Sequence, residues 1–443
     1  MDNDKNQYLW WFIIFIFISR YVTHIVYIED IDSMRFALST INYDLTLFQP
    51  HFPAYPIYCF ITKIFYWLTG NVAISHYISG SIGMSLVIYT GIGLWKNLFP
   101  QQHSIYYIIL LSLSPLLWLM SNRFMPDIMG LGLLLLATNH GWNALKHQKY
   151  SLIIYCASVS LLAGVRISYL PFLLPLSILL LIKQKKTCFM QIGTYIGSSL
   201  LWLIPLIIIT GWQEFTQLLI NHSQGHFNEW GGTVITDNNL LLRLVRIFQY
   251  LWSDGLGGWF IGRSFLLIPW SILLLTLGIK GFKTTKPFPT WLTVSLITYF
   301  VWVFLFQNVL YKPRHLMPFV PFFLLLVAKT LSHLSVKKEL IIIALFAINI
   351  PNTIIAYQHK HKSAVAQAGD FLSRKEAKVI CNPLVTYYLQ KQYPFIKVNP
   401  KLERPYYSLG SKITNAPISD SITFYHNPYI NRMWDKVKLY YYE

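Results

Sequence analysis

Charge is what this sequence has little of. Of 443 residues only 12% are charged, and Asp and Glu together number 18. Soluble domains carry about a quarter charged residues, so a freely soluble globular chain is excluded. Cysteine is sparse as well: Cys59, Cys156, Cys188 and Cys381 are scattered, with no pair at metal-ligand spacing. That leaves neither a disulfide framework nor a zinc site. Internal repeats are missing too, which counts against a secondary transporter built from paired halves. No A-x-A cleavage site follows the first apolar run, so it reads as a retained span and not a signal peptide.

Present in their place are apolar residues at 54%, aromatics at 16% and a mean hydropathy of +0.43. Apolar runs recur from end to end at the length a membrane-spanning helix needs, roughly 17 to 25 residues. The fold class expected is therefore an all-α polytopic membrane protein. The formal net charge of +18 does not indicate a nucleic-acid partner, because such binders gather Lys and Arg on one soluble face. Here the bases sit in short connectors, "KHQKY", "KQKK" and "KGFKTTK", the positive-inside pattern that orients spans.

These rules predict about eleven transmembrane helices and a cytoplasmic amino terminus. Spans are expected at 8–28, 72–95, 104–120, 126–145, 188–209, 264–279, 288–306, 315–331 and 339–356, with 151–182 forming two helices that meet near Arg166 on the outer side. Residues 55–69 read as a helix lying at the interface, with aromatics and Lys63 at headgroup level. Together, 1–356 form the transmembrane domain, with a first outer loop at 29–70 and a large outer loop at 210–263. Residues 357–443, rich in Tyr, Lys, Asn and Pro, read as a small extracytoplasmic α/β domain, strand-like in "AKVICNPLVTYYL" and "SITFYH".

Under this topology the unusual polar residues fall on one face. The first loop, "EDIDSMRFALSTINYDLTLFQPHFPAYP", concentrates Glu29, Asp30, Asp32 and Asp44 in a chain poor in acids. "SNRFMPD", "GVR", "HFNEWGGT" and "NVLYKPRHLMP" lie on the same side. An arginine at membrane depth is costly and by default marks function, which singles out Arg166 and Arg314; snorkelling is the plain alternative. Arg also suits phosphate, because its planar fork binds bidentately. Lys312, His315 and Tyr311 flank Arg314. Asp32 reads equally as an N-cap of a helix "SMRFALST". Asp127, after Pro126, reads either as first-turn helix chemistry or as a substrate contact, and Arg123 is a candidate substrate contact as well. His51, held between prolines, is a further candidate contact. Trp230, in "HFNEWGGT", reads either as a ring that stacks on a ligand or as part of a plain structural loop. Glu29 and Asp30 read as interface acids, and Asp44 as a turn residue.

"DIDSMRFALSTINYDLTLFQPHFPAYPIY" resembles the first outer loop of GT-C membrane glycosyltransferases, the superfamily containing protein O-mannosyltransferases and lipid A aminoarabinose transferases. The nearer resemblance is to bacterial members whose loop reads roughly D-S-x-x-F-A-L, then Q-P-H-x-P-x-Y-P. "RFMPD", "GVRISYLPFLLPL" and "RHLMPFVP" are similar to later segments of that group. The resemblance implies transfer of a sugar from a polyprenyl-phosphate donor to a glycan, lipid or protein acceptor. It places the reaction at the outer face of a bacterial inner membrane. It puts the general base at Asp32 and implies inversion at the anomeric centre. Some relatives use a divalent cation. Asp30, Asp32 and Asp127 would be its ligands here, and the expectation is that none is obligatory. Rival classes are an outer-face lipid or polysaccharide enzyme of O-antigen ligase or acyltransferase type, and a transporter or flippase.

Overall fold

The computed structural model describes residues 3–443 except 27, 262, 285–287, 311, 357–361, 376, 400–403, 414–415 and 426–435. The chain is predominantly helical. It opens with α1 (Asn3–Thr23), α2 (Ile31–Ile41), α3 (Pro56–Thr69), α4 (Val72–Leu98), α5 (Ile105–Leu113), α6 (Pro115–Asn122) and α7 (Asp127–Leu145). There follow α8 (Ser151–Arg166), α9 (Leu170–Lys183), α10 (Cys188–Thr210), α11 (Trp212–Gly225), α12 (Leu240–Gln249), α13 (Ile268–Thr284), α14 (Thr290–Phe306), α15 (Val320–Leu331) and α16 (Lys338–Ala356).

Length and composition do not confirm the expected eleven spans. Among the described residues five helical runs are long and apolar enough to cross a bilayer, six if the bent pair α5–α6 counts as one. The shortfall has a physical basis. The apolar parts of α1 and α14, Leu9–Thr23 and Thr290–Phe306, are short. α7 and α16 interleave Asn139, His140, Asn143, Asn349 and Asn352 with their apolar residues, which lowers their hydropathy; Asn139 Oδ1 accepts from Asn97 Nδ2, and Asn349 donates to the Leu345 carbonyl at 2.8 Å. The 33-residue run 151–183 does fold back near Arg166 as expected. A 3-10 turn at Ile167–Tyr169 separates α8 from α9. Tyr155 Oη then meets Ser177 Oγ at 2.6 Å across the pair.

The centre of the bundle is α4 against α6 and α7. Without a hydrophobic force between helices in lipid, small residues allow close approach and packing supplies the attraction. A Cβ at Gly80 would lie 2.0 Å from the Ser121 carbonyl oxygen, so α4 and α6 touch backbone to backbone there. α5 and α6 bend by 58° at Ser114–Pro115, because proline cannot continue the hydrogen-bond ladder. Arg20, fully buried on α1, supports that break. It donates to the Ser112 carbonyl at 2.8 Å and to Ser121 Oγ at 3.0 Å, with its guanidinium 3.8 Å above the Trp118 ring.

The expected interface helix is α3, whose inner face buries Tyr58, Cys59 and Thr62 while Phe60, Trp67 and Leu68 are exposed. The expected large outer loop is mostly helical. α11 runs on into a π-helical turn, His226–Trp230, and α12 into another, Tyr250–Gly255. Arg243 on α12 fastens this segment to the end of α14. Its guanidinium donates to the carbonyls of Phe304 (2.9 and 2.6 Å), Gln307 (2.9 Å) and Gly232 (2.8 Å). The first two acceptors are carbonyls that a helix terminus leaves without an intrahelical partner.

The expected boundary between the two domains falls on 357–361, outside the described residues. Beyond it lie α17 (Ala364–Ser373), β1 (Lys378–Ile380), α18 (Pro383–Gln392), β2 (Lys397–Val398), β3 (Tyr406–Leu409), β4 (Asp420–Tyr425) and β5 (Lys436–Tyr442). The sheet order is β2-β1-β3-β5-β4, parallel on the β1 side and antiparallel through β5. Only the front of "AKVICNPLVTYYL" is a strand. Asn382 caps the next segment by accepting from Val385 N at 2.9 Å, and Pro383 fits the first turn, so "PLVTYYL" becomes helix. Ser363 Oγ, capping α17, also donates to the Ile28 carbonyl at 3.3 Å, which holds this domain against the start of the first loop.

Candidate active site

The first loop settles a question its sequence leaves open. Asp30, with extended backbone, is the N-cap of α2, and its carboxylate accepts from Ser33 N at 2.8 Å. The capping role is filled there, so Asp32, two residues on, is not needed for it. Asp32 turns inward at 5% exposure. Its Oδ2 accepts from Arg314 Nη2 at 2.6 Å and Lys312 Nζ at 3.0 Å, while Arg35 Nη1 stands 3.5 Å from Oδ1. Pro313 and Pro318 interrupt regular α-helix, and the chain forms a 3-10 helix from Pro313 to Phe319. Tyr169 Oη donates to the Arg314 carbonyl at 3.2 Å and Tyr299 Oη to the His315 carbonyl at 2.9 Å, fixing that segment.

A second carboxylate stands behind the first. Asp127, the first residue of α7, is fully buried and lies 2.9 Å from Arg166 Nη2 and 3.7 Å from Arg314 Nε. Arg314 therefore spans both acids. Gly130, one turn into α7, permits this, since a Cβ there would sit 2.6 Å from the Arg166 Cβ. Arg166 does not snorkel; it points inward and donates through Nη1 to Tyr55 Oη at 3.3 Å. Tyr55 Oη meets His51 Nε2 at 3.2 Å. Ala54 and Tyr55 hold φ of 77° and 48°, a sparsely populated region that proteins retain where a side chain must be aimed.

Arg123 belongs to a neighbouring layer. It pairs with Glu29 at 2.7 Å and with Asp30. Glu29 and Asp30 are 3% and 6% exposed, so they are buried partners of Arg123 and not the interface acids expected. Asp44 is a turn residue as expected, accepting at Oδ1 from Thr46 N (2.9 Å) and Thr46 Oγ1 (2.6 Å). Trp230 is exposed and stands apart from the ion cluster. It meets His222 and His226 edge-on, with centroids 5.9 and 6.1 Å apart. His222 faces Phe48 at 5.3 Å, and Arg35 lies 5.5 Å over the Phe48 ring. An aromatic path thus leads outward from Asp32 through Arg35. His315 is buried beside Arg314 with its Nδ1 unpartnered. Tyr311 lies outside the described residues.

Two residues with close contacts escape sequence reasoning, Arg35 and Tyr55. The signal for Arg35 was its i,i+3 spacing from Asp32, which puts both on one helix face. Tyr55 gave none, because its role depends on a backbone conformation.

Burial alone would raise the pKa of Asp32. Lys312 and Arg314, with His51 and Arg35, outweigh it and hold the carboxyl well below its ordinary range. His51 is pushed down to about 3, chiefly by burial, against the pull of Asp32. It is neutral at physiological pH. Among the described residues no three His, Cys, Asp or Glu side chains cluster as metal ligands. Asp30, Asp32 and Asp127 are each engaged by arginine or lysine. Hard divalent ions want several convergent oxygens, and these three carboxylates do not offer them in this arrangement.

The whole-chain comparison gives the fold, which is similar to that of a solved ArnT. The solved structure of ArnT from Cupriavidus metallidurans bound to undecaprenyl phosphate matches with a TM-score of 0.57 at 11% identity, covering 98% of each chain. The apo form of that ArnT matches at a TM-score of 0.48 and 14% identity, over 88% of this chain and 75% of the other. No protein-family model and no curated protein matches the sequence.

Proposed function

We propose that this protein is a membrane glycosyltransferase that moves a sugar from a polyprenyl-phosphate donor to an acceptor at the outer face of a bacterial inner membrane. The observation that carries the reading is the Asp32 carboxylate held by Arg314 and Lys312. The undecaprenyl phosphate bound by the ArnT of like fold supports a donor of that class. The acceptor hydroxyl oxygen attacks the anomeric carbon as the carbon–oxygen bond to phosphate breaks. The acceptor proton passes to Asp32, and polyprenyl phosphate leaves with the bonding electron pair. A single displacement inverts the anomeric centre.

The cations serve twice. Before the donor binds, Arg314 and Lys312 neutralise Asp32 and keep it a weak base. Donor phosphate competes for the same guanidinium and ammonium, as charge-assisted pairs with phosphate are strong. Asp32 regains basicity only when the substrate is in place, and the cations stabilise the charge developing on the leaving phosphate. Asp127 and Arg166 position Arg314, while His51 and Tyr55 line the donor side. Arg35, Phe48, His222 and Trp230 form the acceptor side, with Trp230 available to stack on a sugar ring. The reading requires no divalent ion.

The direct test is binding of undecaprenyl phosphate to the purified full-length protein in nanodiscs. Wild type should bind and Arg314→Ala should bind at least tenfold more weakly. Equal affinity in both would remove Arg314 from the donor site.

A further inference from the structure

The C-terminal domain carries a cavity whose chemistry the transfer site does not use. Residues paired across adjacent strands share one face of a sheet. Tyr407 pairs with Tyr441 and Tyr441 with Asp420, making one row across β3, β5 and β4. The next row on that face is Leu409, Leu439 and Ile422. α17 covers the inner rows, with Phe371 set 5.9 Å from Phe424 and 6.3 Å from Tyr407. The helix ends at Ser373, leaving the outermost row beside an open pocket of about 240 Å³. Its lining includes Phe371, Lys375, Tyr407, Asp420, Ile422 and Tyr441. Tyr407 and Tyr441 lie 4.9 Å apart, forming a continuous aromatic wall, and Lys375 Nζ sits 4.7 Å over the Phe371 ring.

Ligand pockets combine aromatic walls with a few polar groups that set orientation. Here the charged groups are one exposed carboxylate, Asp420, and one exposed ammonium, Lys375, with Ser421 beside them. A pyranose offers the matching surface. Its polarised C–H face lies against the electron-rich face of an aromatic ring, while its hydroxyls donate to a carboxylate and accept from an ammonium. The volume is below that of a drug-sized site, roughly 300–1,000 Å³, and suits the end of an oligosaccharide. Ser363, the N-cap of α17, is bonded to the Ile28 carbonyl, and Phe371 lies eight residues further on, about 12 Å along the helix axis. The pocket is thus fastened to the loop that carries Asp32.

We infer that this pocket is a saccharide subsite that holds the acceptor glycan through Tyr407, Tyr441, Asp420 and Lys375 while a distal hydroxyl is presented to the transfer site. The inference rests on the transferase reading and narrows its acceptor to a glycan. The pocket recognises the acceptor and takes no part in the chemistry.

The test uses full-length protein in nanodiscs and fluorescently labelled tetra- to hexasaccharides of neutral hexoses, N-acetylhexosamines or uronic acids, with binding read by anisotropy. Neutral or N-acetylated oligosaccharides should bind, and Tyr441→Ala should weaken binding at least tenfold. Asp420→Ala and Lys375→Ala, at exposed positions that leave folding intact, should each weaken it several-fold. Undecaprenyl phosphate affinity should be unchanged in all three. No binding by any panel member, or equal binding in all variants, overturns the subsite. Saccharide binding at this pocket without any polyprenyl-phosphate binding would instead keep the subsite and defeat the transferase reading.

Discussion

At the scale of single residues, the division of labour between Asp30 and Asp32 makes a sharp expectation. Asn and Asp are comparable N-caps, so an Asp32 that merely capped α2 would tolerate Asn. The cap is Asp30, and Asp32→Asn should lower transfer by about 10²–10⁴ through loss of the general base. Because the substitution also releases Arg314 and Lys312 from their carboxylate, undecaprenyl phosphate should bind the variant at least as tightly as wild type. The variant without lipid should melt lower, by on the order of 3 kcal/mol for a broken buried pair, and recover when the lipid is added. Near-normal transfer by Asp32→Asn would end the base assignment. Arg314→Lys keeps charge but not the fork; it should fall between wild type and Arg314→Ala, which should lose about 2–4 kcal/mol of transition-state stabilisation.

The same cluster fixes a pH dependence. The Asp32 carboxyl is held well below its ordinary range. The ion pairs therefore contribute their full stability above the unfolded value, near 3.9, and lose it as pH falls through the lower folded value. Melting temperature should be insensitive to this group between about pH 5 and 7 and should drop in more acid solution, less so in Asp32→Asn. For the rate, kcat/KM reports the free enzyme and kcat the donor complex. If phosphate takes over the cations, the acid limb of kcat should lie at higher pH than that of kcat/KM. Coincident limbs would show that the donor leaves Asp32 in its ion pairs.

At the scale of elements, the site depends on how closely helices approach. Arg166 reaches Asp127 across α8 and α7 because Gly130 leaves space that any Cβ would take from the arginine stem. Gly130→Ala should displace Arg166, loosen Arg314 behind it and lower transfer at least tenfold, while the protein still inserts; unchanged turnover would detach Arg166 from the site. Arg243 acts differently. It closes the end of α14 and ties the 226–232 turn to it through backbone carbonyls. Arg243→Gln should expose the segment between α11 and α12 to limited proteolysis, with cleavage mapped by mass spectrometry. Wild-type resistance in the variant would assign that segment's order to other contacts.

For the whole molecule, topology is the testable quantity. Ser363, just beyond α16, is bonded to the Ile28 carbonyl, just beyond α1, so the first loop and the C-terminal domain occupy one side. With a cytoplasmic amino terminus, as the Lys-rich connectors imply, that side is outside. Single cysteines at exposed Thr46 and Lys412 should both react with an impermeant maleimide in intact spheroplasts. Labelling of one and protection of the other would refute the shared face.

What the sequence determined by itself was a helical membrane class and a candidate address for the chemistry. Scarce charge and recurring apolar runs specify a membrane solvent, because no other solvent accepts that composition. Acids gathered in one loop, and arginines at the ends of apolar runs, single out the candidate residues. The first-loop motif pointed to Asp32, and proline at 171 with Arg166 ahead of it marked the turn between α8 and α9. Tertiary structure decided the partners. Asp32 meets Arg314 from 282 residues away, Asp127 takes Arg166, and Arg123 takes Glu29 and Asp30 instead of joining them. Hydropathy and local spacing describe neighbours along the chain, whereas an ion pair forms where packed helices bring charges together out of water. A one-residue difference in which backbone is touched, as at Gly80 or Gly130, can move such a pair, and no single sequence records it. Length and hydropathy do not confirm the count of eleven spans among the described residues, for the related reason that a helix sheltered by its neighbours can carry asparagine and histidine that one facing lipid cannot.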